Sequence, residues 1–581
     1  MTAELVQAAL TGPAHRRVRR RVFRQLVESL VYEGALKTRQ EGAQHHVDGV
    51  DGAGEPVRYS FTAVRRFGFG RVGLTSPVWR NEAEADSVPR FLSEVRDSLD
   101  ADPELLPGFA RELEETLFKD TLAEHLRALP EPTLEYDELE AAITEGHRYH
   151  PTYKSRIGFD TEDNIAYGPE FGNGVRPLWL AAHRAIAEVT ASKHADPVGM
   201  TAPLGAEATR FEREIERAGR DPEDYVLVPV HPWQWRERLA RAFSAQLSTG
   251  ELIPLGEDPH EFRAQQSIRT LSCRDEPDRP YLKLSMSIVN TSTGRGLAAH
   301  TVRNAAPLTD WLREVVRGDD YLRDELQPVL LGEEFGVAVT PESELLREDT
   351  YGALACIWRE SLHPRLRAGE AAMPFTGLTA ANDGELLIAP WLRAHGAERW
   401  VRDLVRVAAL PLVHLLCKHG IALESHAQNV VLLHRDGLPS RVALKDFHDG
   451  VRFSREHLAD PQRCPRLAET PAHHTNRNSF VETGDPGLVA DFLLDAFFFI
   501  NLGELAIALD DVLPERRFWQ LVAEEIRGYQ QRFGELSDRF DLFDVFTPTI
   551  EVEKLTTRRL RPETELRLHT VPNPLAEVAG C

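Results

Sequence analysis

The 581-residue chain is short of the residues that mark common catalytic and structural devices. Its five cysteines (Cys273, Cys356, Cys417, Cys464, Cys581) are scattered, with no Cys-x-x-Cys pair. That leaves no zinc or disulfide framework and fits a reducing cytoplasm. No Gly-Lys-Ser or Gly-Lys-Thr phosphate loop occurs, which excludes an ordinary P-loop ATPase. His-Glu-x-x-His and Gly-x-Ser-x-Gly are missing too, against a zincin or a serine hydrolase. The Arg-rich stretch 15–24 is followed by no apolar run and cleavage site, so no secretory signal is expected. Long hydrophobic runs are interrupted: 404–423 by Arg406, Pro411, His414 and Lys418, and 492–509 by Asp495, Asn501 and Glu504. Both read as buried helices and not as membrane spans. Positive charge is scarce as well. Sixty-eight Lys and Arg against 91 Asp and Glu give −23, which disfavours nucleic acid or an anionic membrane as the main partner. An enzyme of this charge that takes anionic substrates needs local lysines and arginines to reverse the field in its cleft.

What is present is a globular composition, 42% hydrophobic and 27% charged, long enough for two or three domains. Val18, Val22, Leu26 and Leu30 recur every four residues and predict a helix whose arginines form a solvated face. Gly68-Phe69-Gly70-Arg71-Val72-Gly73 matches G-x-G-x-x-G, but Thr75-Ser76-Pro77 follows where a dinucleotide site needs a helix. Pro130-Glu131-Pro132 and Asn382-Asp383-Gly384 offer boundaries. They suggest an N-terminal helical and β lobe over 1–140, a central lobe with a mixed sheet over 141–395, and a mainly helical lobe over 396–581.

Four segments hold polar residues where they cost stability unless they have a task. In 146–159, His147 and His150 lack a third zinc ligand, and Lys154 and Arg156 suit a loop facing an anion; a basic surface cluster is the competing reading. In 266–270, Ser267, Arg269 and Thr270 are candidates for phosphate or carboxylate oxygens. In 283–295, Lys283 alternates with apolar residues on a half-buried strand, which calls for an anionic partner. Thr291-Ser292 and Arg295 then form a hydroxyl-rich turn. The fourth segment, 424–446, reads as a hairpin with strands 430–433 and 442–445 around Asp436-Gly437. Pairing 433 with 442 sets Asn429 opposite Asp446 at the open end. Glu424 and His426 arrive there after a helix that Gly420 ends. Carboxylate, amide oxygen and carboxylate suit magnesium, a hard cation that also binds nucleotide phosphates. Asn429 with Asp446-Phe447, and Lys283 upstream, echo a kinase-like phosphotransferase, but no His-Arg-Asp loop precedes them.

Together and in this order the segments resemble the IucA/IucC-type, NRPS-independent siderophore synthetases over most of the chain. Residues 146–159 are similar to the family's Gly-His-Pro-x-His-Pro-x-x-Lys-x-Arg-x-Gly-Phe, departing at Arg148. His231-Pro232-Trp233-Gln234, Ser267-Ile268-Arg269-Thr270, Lys283-Leu284-Ser285 through Arg295, Glu424-x-His426-x-Gln428-Asn429 and Lys445-Asp446-Phe447 resemble the remaining elements. The resemblance implies an α+β fold of three parts in a cupped hand, with a kinase-like, mainly helical C-terminal lobe. It implies ATP and Mg2+, a citrate-type carboxylate and an amine as small-molecule partners, and a cytoplasmic enzyme, expected as a homodimer. The activity implied is adenylation of the acid followed by amide formation, with AMP and pyrophosphate released. By the same resemblance, His426, Arg295 and Lys283 would be catalytic. His150, Lys154, Arg156, Ser267, Arg269, Thr270, Lys283, Asn429 and Asp446 would bind ATP. Thr291, Arg295 and Gln428 would receive carboxylates, and Glu424, Asn429 and Asp446 would hold the metal. His231 and Trp233 are expected to be scaffold. Near the C-terminus, Lys554 or Arg558 is a candidate to reach the acyl group. Ferric-siderophore reductases share a region like the last lobe but need clustered cysteines, which this chain lacks.

Overall fold

The computed structural model describes residues 3–127, 129–143, 145–146, 148–195, 204–290, 293–341, 344–474, 480–562 and 567–579. The helix Pro13–Tyr32 opens with a proline in its first turn, where no backbone donor is lost. Val18, Val22, Leu26 and Leu30 are fully buried against the helix Leu106–Leu126 and an antiparallel pair, Gln44–Val50 with Pro56–Arg65. The helix arginines meet carboxylates: Arg20 with Glu84, Arg17 with Glu124, Arg21 with Asp120. Three arginines of the Arg-rich stretch thus pair within the fold, Arg17 and Arg20 from its exposed face. Gly68–Gly70 is a single tight turn followed by the strand Val72–Leu74, with no helix for a dinucleotide.

The central sheet runs Phe262–Ala264, Thr270–Cys273, Tyr281–Leu284, Ala355–Arg359, Glu333–Val339, Ala187–Ala191. Every neighbour pair in it is antiparallel, which corrects the expected mixed sheet. The one parallel pairing among the described strands lies elsewhere, between Val329–Leu330 and Leu438–Leu444. It belongs to a four-stranded sheet completed by Val430–Arg435 and Ala371–Pro374. Strand Ala371–Pro374 and Leu378, Leu387, Ile388 and Leu392 therefore pack into the last lobe's core, ahead of the boundary drawn at 395. Asn382-Asp383-Gly384 proves to be a hairpin tip within that lobe, where Asp383 and Gly384 take positive φ (49° and 88°). Its polar turn residues mark a bend, and composition alone does not distinguish a bend from a linker.

The apolar stretches are core. Leu404, Ala408, Leu412 and Leu416 are buried. The segment Pro486–Leu509 is long and apolar enough to cross a membrane, yet 72% of its apolar window is buried inside the fold. Cys273, Cys356, Cys417 and Cys464 are unpaired; Cys581 lies outside the described residues.

Candidate functional site

The 424–446 segment folds as a hairpin turning on Asp436 (φ 48°) and Gly437 (φ 81°), two left-handed residues as a primed turn requires. The register differs by one from the expectation. Leu433 pairs with Arg441, a bulge follows it before His434, and Asn429 therefore faces Lys445, whose N–H donates to the Asn429 carbonyl at 3.1 Å. Asp446 still returns to the open end because its own backbone is left-handed, φ 68°. Gly450 makes this bend possible: a Cβ there would sit 2.2 Å from the Asp446 carbonyl oxygen. The Glu424 N–H then closes the turn on the Gly450 carbonyl at 2.8 Å. Upstream, Gly420 ends the helix with φ 78°, as expected.

A cavity of about 740 Å³ lies at this tip. Its walls include His150, Ser267, Arg269, Lys283 and Arg295 from the middle of the chain, and Glu424, His426, Gln428, Asn429, Asp446 and Asp449 from the hairpin. Strand Tyr281–Leu284 carries Lys283 to Asp446, with Nζ 2.9 Å from Oδ2. The anionic partner demanded by a buried lysine is thus the hairpin aspartate. On its other oxygen Asp446 accepts from Arg359 at 2.7 Å. Burial alone would raise the Asp446 carboxyl, but Lys283 and Arg359 hold it well below the usual carboxylate range. We read the pair as ionised.

Ile268, a β-branched residue at φ 69°, forces the turn that sets Ser267 and Arg269 together on the cavity wall. Arg269 donates to the Arg295 and Gly296 carbonyls at 2.8 and 2.9 Å, bracing the strand that bears Arg295. Burial and the neighbouring Arg269 charge bring Arg295 down to about 10, so it stays cationic near neutrality. His426 Nδ1 accepts the Gln428 N–H at 3.2 Å, which places the ring proton on Nε2. Burial, opposed by Asp446 but helped by Arg295, pushes His426 down to about 4. His426 is therefore a neutral imidazole whose Nε2–H is available as a donor. His150, at about 3 through burial and Arg295, is neutral as well.

Three expected contacts lie elsewhere. Lys154 is fully buried against Asp120 (2.7 Å) and Glu170 (3.3 Å), and is absent from the cavity wall. Arg156 edges the cavity, but its guanidinium is bidentate on Glu170 and bonds Asn164. The sequence showed the cations and concealed the two carboxylates, distant in the chain, that they answer. Thr270 is buried beneath Ser267, accepting its hydroxyl at 2.8 Å. Thr291 lies outside the described residues. His231 caps the turn Pro232–Gln234, and Trp233 bonds Asp163, both as scaffold. Of the C-terminal pair, Arg558 lines the cavity and Lys554 does not.

Several residues in the cavity wall or directly behind it escaped sequence reasoning. Arg359 is one. Another set is Asp449, His448 and the buried Glu333, with His448 Nδ1 2.7 Å from Glu333 and Nε2 3.2 Å from Asp449. A third is an acidic end, where Asp491, Asp495, Glu551 and Glu553 line the same cavity. Burial lifts Asp495 to about 8, Asp491 to about 6 and Glu424 to about 7, the last assisted by Asp449. Asp495 interrupting an apolar helix was the available signal. For a hard cation the fit is good: Glu424, Asn429, Asp446 and Asp449 all line the cavity. Asn429 Nδ2 is committed to the Glu424 carbonyl at 3.0 Å, which leaves Oδ1 as its ligand atom.

Residues 135–380 match the family model described as IucA / IucC family. Over 574 residues the chain is 40% identical to the citryl-spermidine/3,4-dihydroxybenzoyl-citryl-spermidine:spermidine ligase of Bacillus anthracis, covering 96% of this chain and 93% of that protein. The chain belongs to the IucA/IucC family of siderophore synthetases. It is also 42% identical over 578 residues to the 2-[(L-alanin-3-ylcarbamoyl)methyl]-3-(2-aminoethylcarbamoyl)-2-hydroxypropanoate synthase of Staphylococcus aureus, covering 96% and 93% of the two chains. The crystal structure of the petrobactin biosynthesis protein AsbB from Bacillus anthracis superposes with a TM-score of 0.93 at 38% identity, covering 100% of this chain and 99% of that one. Residues 398–568 separately match the model for ferric iron reductase FhuF-like transporters. Within that span Cys417 is buried and Cys464 half-buried, both unpaired.

Proposed function

We propose that the chain is an ATP-dependent ligase that adenylates a carboxylate of citrate, or of a citrate-derived acid, and condenses it with an amine. A carboxylate resists attack until its charge is removed, and an acyl-adenylate supplies the leaving group. The observation that carries this reading is the polarity of the cavity at the hairpin tip. Lys283, Arg269 and Arg295 stand beside the carboxylate tip of the hairpin, and Asp491, Asp495, Glu551 and Glu553 line the same space. The cations suit triphosphate and the acid; the carboxylates suit a protonated amine carrying more than one positive centre. Relatives whose names include citryl-spermidine and aminoethyl groups support that assignment.

In this scheme Arg295 and Gln428 receive the acid's carboxylates, Thr291 adding a hydroxyl. Ser267 and Arg269 bind phosphate oxygens, with His150 alongside. His426, as a neutral imidazole, donates a hydrogen bond from Nε2–H to the charge developing on the reacting phosphate. Glu424, Asn429 and Asp446 would hold Mg2+, which supplies charge neutralisation on the triphosphate. Lys283, on the same wall, would offer its ammonium to a phosphate oxygen. The amine enters where Asp495 and Glu553 hold its charge, and one of these carboxylates takes its proton, which frees the lone pair to attack the acyl carbon. The C–N bond forms as the acyl–phosphate bond breaks, and AMP leaves.

Nucleotide analysis after turnover with ATP, Mg2+, citrate and a panel of amines tests this. AMP and pyrophosphate equal to amide formed are expected. ADP as the product would instead make the chain a kinase-like phosphotransferase.

A further inference from the structure

We propose a second, metal-binding site remote from the cavity wall, built by Asp319, His414 and His419 for a borderline divalent cation such as zinc. The three ligand atoms lie within 4.8 Å of one another. His414 Nε2 is 3.0 Å and His419 Nε2 2.9 Å from the same Asp319 oxygen, Oδ2. Asp319 and His414 are fully buried and His419 is nearly so. Two imidazoles and a carboxylate are a three-ligand set that zinc accepts, with a fourth position left for water.

The backbone explains how the two rings meet. The segment Leu415–His419 is a π-helical turn, in which hydrogen bonds run from i to i+5. His414 and His419 are five apart, so this rare turn brings them to one face, where an α-helix would separate them. Among the described residues this is one of five π-helical segments, and what sets it apart is the pair of histidines it aligns on Asp319. The Tyr529 hydroxyl lies 2.9 Å from His414 Nδ1, the outer partner that fixes a metal-bound imidazole's tautomer.

Geometry is close to what a cation requires. Bond lengths of about 2.0–2.1 Å in a tetrahedron separate ligand atoms by about 3.3 Å, so each ring backs away from Oδ2 by a few tenths of an ångström while the two ring nitrogens, within 4.8 Å of each other, settle to a similar separation. Lys418 now occupies the place of charge: its Nζ is 2.7 Å from the same oxygen, yet the side chain is 38% exposed. It can swing into solvent when a cation takes over. Asp319 follows the long helix Ala299–Gly318, whose first turn reaches the cavity, and His419 precedes the strand Ile421–Leu423 that delivers Glu424. An ion here would tie together two elements that shape the catalytic wall, without touching substrate.

Cobalt(II) titration of the full-length protein, with Mg2+ saturating the oxygen ligands of the cavity, tests the site. One equivalent with the intense visible absorption of a four-coordinate cobalt centre is expected. His419→Gln keeps a hydrogen bond to Asp319 and should weaken binding at least tenfold. Lys418→Met removes the competing ammonium and should tighten it. Loss of Tm in Lys418→Met with no four-coordinate spectrum in any form would reduce the cluster to a hydrogen-bonded hub and overturn the proposal. Identical titrations for the wild type and His419→Gln would overturn it as well.

Discussion

Replacing Arg295 by alanine separates a catalytic cation from a structural one. The side chain lines the cavity, and its Nη2 donates to the Asn290 carbonyl at 3.3 Å. Losing a bond of that length costs about 1 kcal/mol, and relief of the repulsion with Arg269 offsets part of it. Stability should therefore change little, with Tm lowered by less than about 3 °C. The cost in catalysis is larger. A preorganised charge aimed at a developing anion is worth about 2.7–4 kcal/mol, so pyrophosphate release with saturating ATP, Mg2+ and citrate should fall about 100- to 1,000-fold. A second readout is independent of turnover. The Arg295 charge helps hold His426 and His150 at about 4 and 3, so both should titrate higher in Arg295→Ala, toward the ordinary histidine value, by NMR. Neutral histidines gaining a proton at higher pH also shift stability: each contributes less destabilisation on acidification, so the variant should resist acid better than the parent. Near wild-type pyrophosphate release with unmoved histidine signals would remove Arg295 from the site and refute the electrostatic account of it.

Glu424 is raised to about 7, above its unfolded value, so in the ligand-free protein its contribution is lost as pH rises through 7. A cation needs the ionised form, and apparent Mg2+ affinity should drop about tenfold per pH unit below 7; a Mg2+ requirement unchanged across that range would remove Glu424 from the metal set. Lys154→Met should unfold at lower denaturant by about 3 kcal/mol while leaving KM for ATP unchanged, because its partners are the buried Asp120 and Glu170. Intact stability with a raised KM would return Lys154 to the nucleotide site. Asp495→Asn together with Glu553→Gln should raise KM for the amine about tenfold or more and leave KM for citrate alone, as loss of charge-assisted contacts predicts; an unchanged amine KM would place the amine elsewhere.

The legible part of this protein is the part whose physics is local. The hairpin turn was readable because Asp436 and Gly437 both must take positive φ, and the end of the preceding helix because Gly420 must. That Lys283 needs an anion was readable from its place on a half-buried strand; that Asp446 answers the need is visible only in the structure. The same logic misled at Lys154 and Arg156. Buried cations demand anions, but the demand does not say whether a ligand or another segment answers it, and here Asp120 and Glu170 do. The register slip has a similar origin, since a bulge after Leu433 leaves no mark in an apolar run. Asp495 shows where the ambiguity is most instructive. An acid inside an apolar helix argued correctly against a membrane span, yet the same acid faces the cavity and is lifted to about 8 by its burial. Its cost to the core is one that a cationic substrate would offset on binding, which is why it stands among carboxylates that the fold itself leaves crowded together.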